Sequence, residues 1–292
     1  MQTDHDKRFS EIKRVLVVVL ALNWLVAAAK IIYGLVTNFT SMTADGFHSL
    51  SDGTSNIIGL VGITLACRPP DKDHPYGHKK YETLSSLGIA ALLFFVCFNL
   101  AKEGLKRLYH PLFPQVNGMS LAVMIITIVI NVLVMKYEYK AGKRLKSDIL
   151  VSDSLHTRAD IFTSISVVAA MASIKLGFPV LDPIVTIMIA AFIAHAAINI
   201  LSQGSNVLCD TIVVMDDKKI ADVVLSVKGV RTCHKIRTRG REDDIHVDLH
   251  VQVHPDMHVG RAHEISYKIE NAIKENIQGV TDVVVHIEPK KK

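Results

Sequence analysis

The sequence predicts a membrane protein with two parts: an all-α bundle of six transmembrane helices in residues 1–204 and a small α+β domain in residues 205–292. Three observations lead to this fold class. The mean hydropathy of +0.30 is too apolar for an ordinary soluble domain. Residues 1–204 contain six apolar segments that approach the length of about 20 residues needed to cross a bilayer as a helix. Residues 205–292 contain no such segment. Their apolar residues instead recur at the spacings of amphipathic helices and strands.

The six apolar segments are separated by short polar or charged connections. The second and fifth segments are the most polar, with Asp, His, Ser, Thr and Asn along one side. Because a charged side chain is costly in lipid, we expect these two helices to face the bundle interior and the other four to contact lipid. The predicted segments are Val15–Val36, Met42–Ala66, Thr83–Leu108, Met119–Met135, Ile149–Ile174 and Leu181–Leu201.

The second and fifth segments also share the pattern D-x-x-H-x-x-x-D. Offsets of 0, 3 and 7 residues fall within one stripe of a helix, so the three side chains of each pattern share a face. One His and one Asp from each helix would give two nitrogen and two oxygen ligands, a complete tetrahedral shell for Zn²⁺. The alternative is that these residues cap helices or line a polar seam. The two triplets are Asp45, His48 and Asp52, and Asp153, His156 and Asp160.

Positive charge is unevenly distributed among the connections. Lys and Arg are frequent at the N-terminus, between the second and third segments, and between the fourth and fifth, and they are scarce on the opposite side. The positive-inside rule therefore predicts that both termini lie in the cytoplasm. The net charge of +5 belongs to residues 1–204, which indicates contact with lipid headgroups rather than with nucleic acid.

The C-terminal domain shows the periodicity of a small open sheet. Apolar and polar residues alternate cleanly from Ile245 to Val253, which predicts a half-buried strand. Asp216 and Asp217, followed by Ile220, Val223, Val224 and Val227, predict a capped amphipathic helix. The element order αββαβ suggests an α+β sheet. The other predicted elements are the strand Gly229–Arg239, the helix Val259–Ile277 and the strand Val280–Glu288.

A second group of candidate metal ligands lies in the connection after the second segment. Asp71, His74 and His78 place one carboxylate and two imidazoles at close spacing, and Asp73 is an alternative to Asp71. Three such ligands can bind a metal ion weakly, with water completing the shell. The alternative is a polar loop whose histidines meet lipid headgroups.

A third group lies in the C-terminal domain, which holds half of the 14 histidines of the chain. His234, His250 and His286 fall on the three predicted strands, and His263 falls on the helix between the second and third. Glu288 follows His286 by two residues and therefore shares its strand face. Such a cluster could hold one or two zinc ions.

Together these features resemble the cation diffusion facilitator family. The resemblance rests on the two H-x-x-x-D pairs, on the loop D-x-x-H-P-Y-G-H-x-K and on the His-bearing αββαβ end, and it covers nearly the whole chain. It implies a homodimeric efflux transporter of the cell inner membrane that exchanges divalent metal ions for protons. It also implies a cytoplasmic ferredoxin-like or metallochaperone-like domain that senses metal. Zn²⁺ is the expected cargo, and Cd²⁺, Co²⁺, Fe²⁺ and Mn²⁺ are alternatives.

The resemblance also assigns the ligands of three sites. It implies a transport site of His48, Asp52, His156 and Asp160, a loop site of Asp71, His74 and His78, and a cytoplasmic site of His234, His250, His263, His286 and Glu288. 

The chain departs from the pattern of the family at a few places. Some bacterial members carry Asp at the position of His48, which affects the metal preference, and Ile287 stands where a further ligand could lie. A His-rich loop between the fourth and fifth segments, common in eukaryotic zinc transporters of the family, is absent, which favours a prokaryotic source.

Two other classes of protein compete with a transporter. A membrane metalloenzyme would keep one metal coordination position open and would need a general base. The second and fifth segments contain no Glu, and the pair His263-Glu264 is followed by Tyr267 where a metalloprotease helix needs its second His. A metal-sensing receptor would bind metal with its C-terminal domain and need the helices only as a membrane anchor. It would not explain the repeated triplets in the second and fifth segments. We therefore expect a transporter and not an enzyme.

Overall fold

The computed structural model of the chain describes residues 2–36, 40–109, 118–175, 181–213 and 217–290. The chain divides into two compact units, Met1–Gly204 and Ser205–Lys292. Within the described residues, six long helices precede a three-stranded sheet with two shorter helices, so the predicted fold class is confirmed.

The six long helices extend beyond the predicted apolar segments, because an α-helix continues past the bilayer wherever its residues can still pack. Helix α1 already begins at Gln2, and Phe9 and Ile12 of its polar first part are buried. The helices are α1 Gln2–Val36, α2 Thr40–Ala66, α3 Lys80–Tyr109, α4 Gly118–Leu145, α5 Asp148–Lys175 and α6 Leu181–Leu208.

Three stretches of the described residues are long and apolar enough to cross a membrane by composition, namely Lys7–Ile32, Lys80–Tyr109 and Pro183–Leu208. The large apolar side chains Phe98 and Met188 on two of these helices are 67% and 65% exposed. Such exposure would be unfavourable in water and is expected for a surface that lies in lipid.

Helix α5 lies between two apolar clusters of the bundle. On one side Ile149 and Leu150 pack with Leu16 of α1 and Ile63 of α2. On the other side Ala159 packs with residues of α3 and α6. The two clusters fix the rotation of α5, so its polar stripe is directed away from lipid.

Helix α2 approaches its neighbours through two glycines. A Cβ atom at Gly59 would lie 2.8 Å from Cγ2 of Ile149 on α5, and one at Gly62 would overlap the hydroxyl of Ser85 on α3. A larger residue at either position would displace these neighbouring side chains, so the glycines let α2 approach α5 at Gly59 and α3 at Gly62.

The C-terminal unit has the predicted order αββαβ. Strand β2 pairs antiparallel with β1 and parallel with β3, so β2 is the central strand. The apolar residues of β2 that alternate from Ile245 to Val253 are all buried, and they pack against Ile265, Ile269 and Ile273 of α8. The elements are α7 Asp217–Leu225, β1 Thr232–Arg241, β2 Asp244–Val253, α8 Val259–Asn276 and β3 Val280–Pro289.

Candidate metal sites

The triplet on α5 is placed inside the bundle. Asp153 is fully buried, His156 is 5% exposed and Asp160 is half-buried. The triplet on α2 falls within the helical backbone of that element, but the side chains of Asp45, His48 and Asp52 lie outside the described residues. Their convergence with the α5 triplet therefore stays a prediction. 

A small polar cavity borders the α5 triplet. Its volume is about 20 Å³, and roughly 10–15 Å³ suffices for one water molecule. Besides Asp160, its polar lining consists of amide and hydroxyl groups contributed by α1, α2, α4 and α5. The lining residues are Asn23, Val26, Ser49, Thr127, Asn131, Thr157 and Asp160.

Asp153 belongs to a chain of buried polar groups that crosses four helices. Asn23 on α1 donates from Nδ2 to Oδ1 of Asn56 on α2, at 3.1 Å. Asn56 in turn donates from its own Nδ2 to Oδ2 of Asp153. The carboxyl group of Glu138 on α4 lies within hydrogen-bonding reach of Asp153, and it accepts a bond of 3.1 Å from the hydroxyl of Thr157. The α5 triplet is therefore positioned by residues outside both sequence patterns.

Glu138 is the functional candidate that the sequence analysis missed. The fourth apolar segment is predicted to end at Met135, but α4 continues to Leu145. Val134, Glu138 and Ala141 are all buried, and their spacing of 4 and 3 residues is that of one helix face. This continued periodicity is the signal that could have revealed Glu138.

Lys30 of α1 places its amino group close to the same cavity. Its side chain is 5% exposed, and its Nζ donates to Oγ of Ser49 at 2.9 Å. Ser49 lines the cavity together with Asp160. An ionisable group buried in a membrane helix is costly, so it marks a functional region by default.

The loop between α2 and α3 brings Asp71, His74 and His78 together, with one ligand atom of each within 4.8 Å of the others. Oδ1 of Asp71 lies 3.2 Å from Nδ1 of His74, and its Oδ2 lies 3.2 Å from Nε2 of His78. The backbone N–H of Asp73, the alternative ligand in the sequence, donates a hydrogen bond to Oδ1 of Asp71. Asp73 therefore helps to orient the carboxylate of Asp71. Asp71 is the carboxylate that lies closest to both imidazoles, and its role as a metal ligand stays a prediction.

The loop group is preorganised by backbone contacts. The backbone N–H of His74 donates to Asp71 at 2.7 Å, and this bond, followed by the side chain of His74 and the charge of His78, holds the pKa of Asp71 below its usual value. Nδ1 of His78 lies 3.1 Å from the carbonyl oxygen of Pro69, which leaves Nε2 directed toward Asp71. The group can therefore offer an ionised carboxylate and two imidazoles to a cation.

The sheet of the C-terminal unit aligns His234, His250 and His286 across its three strands. Glu288 joins them, because its Oε1 lies 2.7 Å from Nδ1 of His250 and its Oε2 lies 3.4 Å from Nε2 of His234. The hydrogen bond from His250 is the main reason that the pKa of Glu288 lies below its usual value. Ligand atoms of His234, His250 and Glu288 lie within 4.8 Å of one another.

The remaining two predicted ligands differ in their positions. The ring of His286 lies 4.5 Å from that of His250, and its Nε2 is 3.7 Å from Glu288. His263 is exposed on α8, where its ring packs edge-on against Tyr267. In the described single chain His286 therefore borders the group, whereas His263 is not among its members.

Buried acidic and imidazole groups inside a bundle of membrane-length helices, combined with two further His and carboxylate groups, define a membrane protein that handles metal cations. Residues 16–209 match the family model of the cation efflux transmembrane domain, and residues 215–290 match that of the cation efflux protein cytoplasmic domain. The first match alone covers more than half of the chain. The chain therefore belongs to the cation diffusion facilitator family, a family of multi-pass membrane transporters of divalent metal ions.

Two membrane transport proteins match this chain over almost its whole length. An uncharacterized transporter of Methanocaldococcus jannaschii is 32% identical over 95% of this chain and 98% of its own length. The manganese efflux system protein MneS of Bacillus subtilis is 24% identical over 97% of this chain and 98% of its own length. Among solved structures, the C-terminal domain of MamM in a manganese form is 27% identical, with a TM-score of 0.25, and the match covers 25% of this chain and 94% of that domain.

Proposed function

We propose that the protein exports divalent metal ions, above all Zn²⁺, in exchange for protons. The observation that carries this proposal is the stripe of buried Asp153, buried His156 and half-buried Asp160 on α5, which borders a polar cavity inside the bundle. A buried carboxylate and imidazole need a cationic or polar partner, and a passing metal ion can supply it. The protein acts as a homodimer in the cell inner membrane of a prokaryote, with both termini in the cytoplasm.

The choice of metal depends on the donor atoms. His48 and His156 with Asp52 and Asp160 supply two nitrogens and two oxygens, which suit Zn²⁺, Cd²⁺ and Co²⁺ better than the all-oxygen shell that Mn²⁺ prefers. The relative named as a manganese efflux protein keeps Mn²⁺ as an alternative. The amide and hydroxyl groups of the cavity are compatible with a partly hydrated ion of either kind.

Proton exchange follows from the imidazole ligands. Zn²⁺ binds neutral imidazole, so a proton that reaches His48 or His156 competes directly with the metal ion. Alternating access would load the site from the cytoplasm and expose it to the outside, where protons displace the metal. No step of this cycle requires a general base or a bond to be cleaved, so we propose a transporter without enzymatic activity.

The cytoplasmic unit is proposed to sense the metal and to support the dimer. The group of His234, His250 and Glu288, bordered by His286, is half-exposed and thus open to metal ions in the cytoplasm. A domain of under 90 residues buries a limited core, so association with a second copy would add to its stability.

Transport by the purified protein in proteoliposomes tests the proposal. A panel of divalent metals is supplied with a set pH gradient, and the variants His156→Ala and Asp160→Ala are compared with the unchanged protein. We expect both variants to lose metal-dependent flux while they remain folded. His254→Ala in the exposed part of the cytoplasmic unit is the matched control and should transport normally. Normal transport by Asp160→Ala would refute the site.

A further inference from the structure

Glu138 lies on α4, outside both sequence patterns, and its side chain is completely buried. Its Oε2 accepts the hydrogen bond from the hydroxyl of Thr157 on α5. Its carboxyl group also lies within hydrogen-bonding reach of that of Asp153, which is completely buried as well. Two acidic side chains from neighbouring helices therefore meet in the interior of the bundle.

Each of these two carboxyl groups keeps one oxygen without a donor. Among the described residues, neither Oε1 of Glu138 nor Oδ1 of Asp153 receives a hydrogen bond, although both atoms are buried. Besides Asn56 and Thr157, the groups found beside the two carboxyls in the same part of the chain are the hydroxyl of Ser55 and the imidazole of His156, both next to Asp153. Two adjacent carboxylates in a medium of low dielectric constant repel each other unless a cation or a proton lies between them.

The surrounding residues hold the pair in this arrangement. Asn56 donates to the other oxygen of Asp153, and Asn23 fixes the orientation of Asn56. Thr157 donates to Oε2 of Glu138. The oxygens that receive no hydrogen bond, Oε1 of Glu138 and Oδ1 of Asp153, are therefore available to bind a cation. Uncompensated carboxylate oxygens beside a hydroxyl are the ligands that bind divalent cations in oxygen-rich sites.

We infer that Glu138 is a ligand of the transported cation, and that Glu138 and Asp153 hold a divalent metal ion between their two free oxygens. The inference rests on the proposed transport function and adds a second binding position to it. Asp153 precedes Asp160 by about 10 Å along the helix axis, on the side of the connection between α4 and α5. With that connection in the cytoplasm, the ion would meet Glu138 and Asp153 before it reaches His156 and Asp160.

The variant Glu138→Gln separates metal binding from a structural role. Glutamine has nearly the shape of glutamate and can still accept the bond from Thr157. Its amide can also donate to Asp153, so the metal-free protein should be as stable as the unchanged one or more stable. Binding of a divalent ion should weaken, because one charged ligand is lost. A residue that only tied α4 to α5 would instead leave the metal affinity unaltered.

The experiment measures transport of Zn²⁺, Mn²⁺ and Cd²⁺ in proteoliposomes, together with the unfolding temperature of the metal-free protein in chelator. For Glu138→Gln we expect the metal concentration at half-maximal rate to rise by about tenfold or more, with an unfolding temperature that is not lowered. Glu138→Asp keeps the charge and should restore part of the affinity. Glu103→Gln on α3 removes a carboxylate that is paired with Arg107 and partly exposed, and it serves as the matched control.

Asp160→Ala distinguishes a failure of this inference from a failure of the proposed function. If Asp160→Ala is inactive and Glu138→Gln has the half-maximal concentration of the unchanged protein for all three metals, Glu138 is not a ligand and transport stands. If Asp160→Ala transports normally, the proposed site itself is wrong. Should Glu138→Gln not fold, Glu138→Asp decides: a changed half-maximal concentration at an unchanged unfolding temperature supports the ligand role, and an unchanged one overturns it.

Discussion

Arg8 near the start of α1 forms a largely buried ion pair with Glu82 at the start of α3, with 3.0 Å between Nη2 and Oε2. The same guanidinium donates to the carbonyl oxygens of Leu145 and Lys146, where α4 ends and the chain turns into α5. One side chain therefore joins three parts of the bundle at the same end. The polar start of α1 therefore helps to hold α3 and the connection between α4 and α5 in place.

We predict that Arg8→Ala destabilises the bundle by about 3 kcal/mol, because it removes the guanidinium that pairs with the buried carboxylate of Glu82. Glu82 is only 1% exposed, so water cannot replace the guanidinium. Denaturant unfolding in detergent measures the change. Arg144→Ala breaks an exposed pair with Glu11 at 2.7 Å and is the control; we expect it to cost less than about 1 kcal/mol. Equal losses for the two variants would contradict the prediction.

The loop between α2 and α3 gives a pair of matched substitutions. Asp71→Asn removes the carboxylate that lies within 3.2 Å of both His74 and His78, whereas Asp73→Asn changes a neighbouring acid that only donates its backbone N–H. We predict that Asp71→Asn lowers the amount of Zn²⁺ bound per purified chain by one ion, and that Asp73→Asn leaves it unaltered. Metal analysis after equilibrium dialysis measures both. The same stoichiometry for all three proteins would exclude a loop site.

The metal preference of the transporter can be shifted at the α2 triplet. His48→Asp replaces a nitrogen ligand by oxygen, and oxygen-rich shells favour harder or larger ions. We predict that this variant moves the preference from Zn²⁺ toward Mn²⁺ or Cd²⁺ in competition assays. His254→Asp on the exposed surface of the C-terminal unit adds the same charge elsewhere and should leave the preference unchanged. Unaltered selectivity of Zn²⁺ over Mn²⁺ in His48→Asp would contradict the assignment of that ligand.

The fold and two of the candidate sites follow from patterns that are local in the sequence. The described residues contain eleven helices and strands, and the helix and strand periods of the sequence predicted the type and the order of each. The strand alternation in β2 placed His250 opposite its apolar residues, and the sheet register then aligned it with His234 and His286. Spacing alone also identified the loop group, but the choice between Asp71 and Asp73 depended on the turn geometry of the backbone.

Glu138 was not predicted because the apolar run of the fourth membrane segment ends at Met135, and the charged residue Lys136 follows it. Lys136 is exposed, whereas Glu138, two residues further along, is completely buried. The charged end of α4 therefore has one exposed face and one buried face. Which face is buried depends on the packing of α4 against α5, a contact between residues about 20 positions apart. Windows averaged along the sequence cannot resolve such a difference.

The C-terminal unit should become less stable at alkaline pH because of His246. The carboxylates of Asp244 and Asp282, each with an oxygen 3.7 Å from a ring nitrogen of His246, raise the pKa of His246 above its usual value. The stabilisation is therefore complete below the unfolded pKa of about 6.5 and is lost as the pH rises through the higher folded pKa. Urea unfolding of fragment 205–292 from pH 5 to 9 measures this. His246→Gln should flatten the pH dependence, and the exposed His254→Gln should not.

Zinc should draw two copies of the cytoplasmic unit together. In one chain the closest ligand group consists of His234, His250 and Glu288, and Zn²⁺ prefers four ligands. His286 on the exposed edge of the group, or a residue of a second copy, can supply the fourth. In the proposed dimer, Zn²⁺ bound at such a site would favour an arrangement with the two units closer together, so the metal would shift the population toward it.

We predict that X-ray scattering from fragment 205–292 gives a smaller radius of gyration with Zn²⁺ than with chelator. The double variant His250→Ala and His286→Ala should abolish the difference, since it removes one ligand of the group and its neighbour. In the full chain it should weaken activation by metal while the bundle still binds zinc. His258→Ala, at the exposed start of α8, is the control and should behave like the unchanged fragment. An identical radius of gyration with Zn²⁺ and with chelator would make the unit a scaffold rather than a sensor.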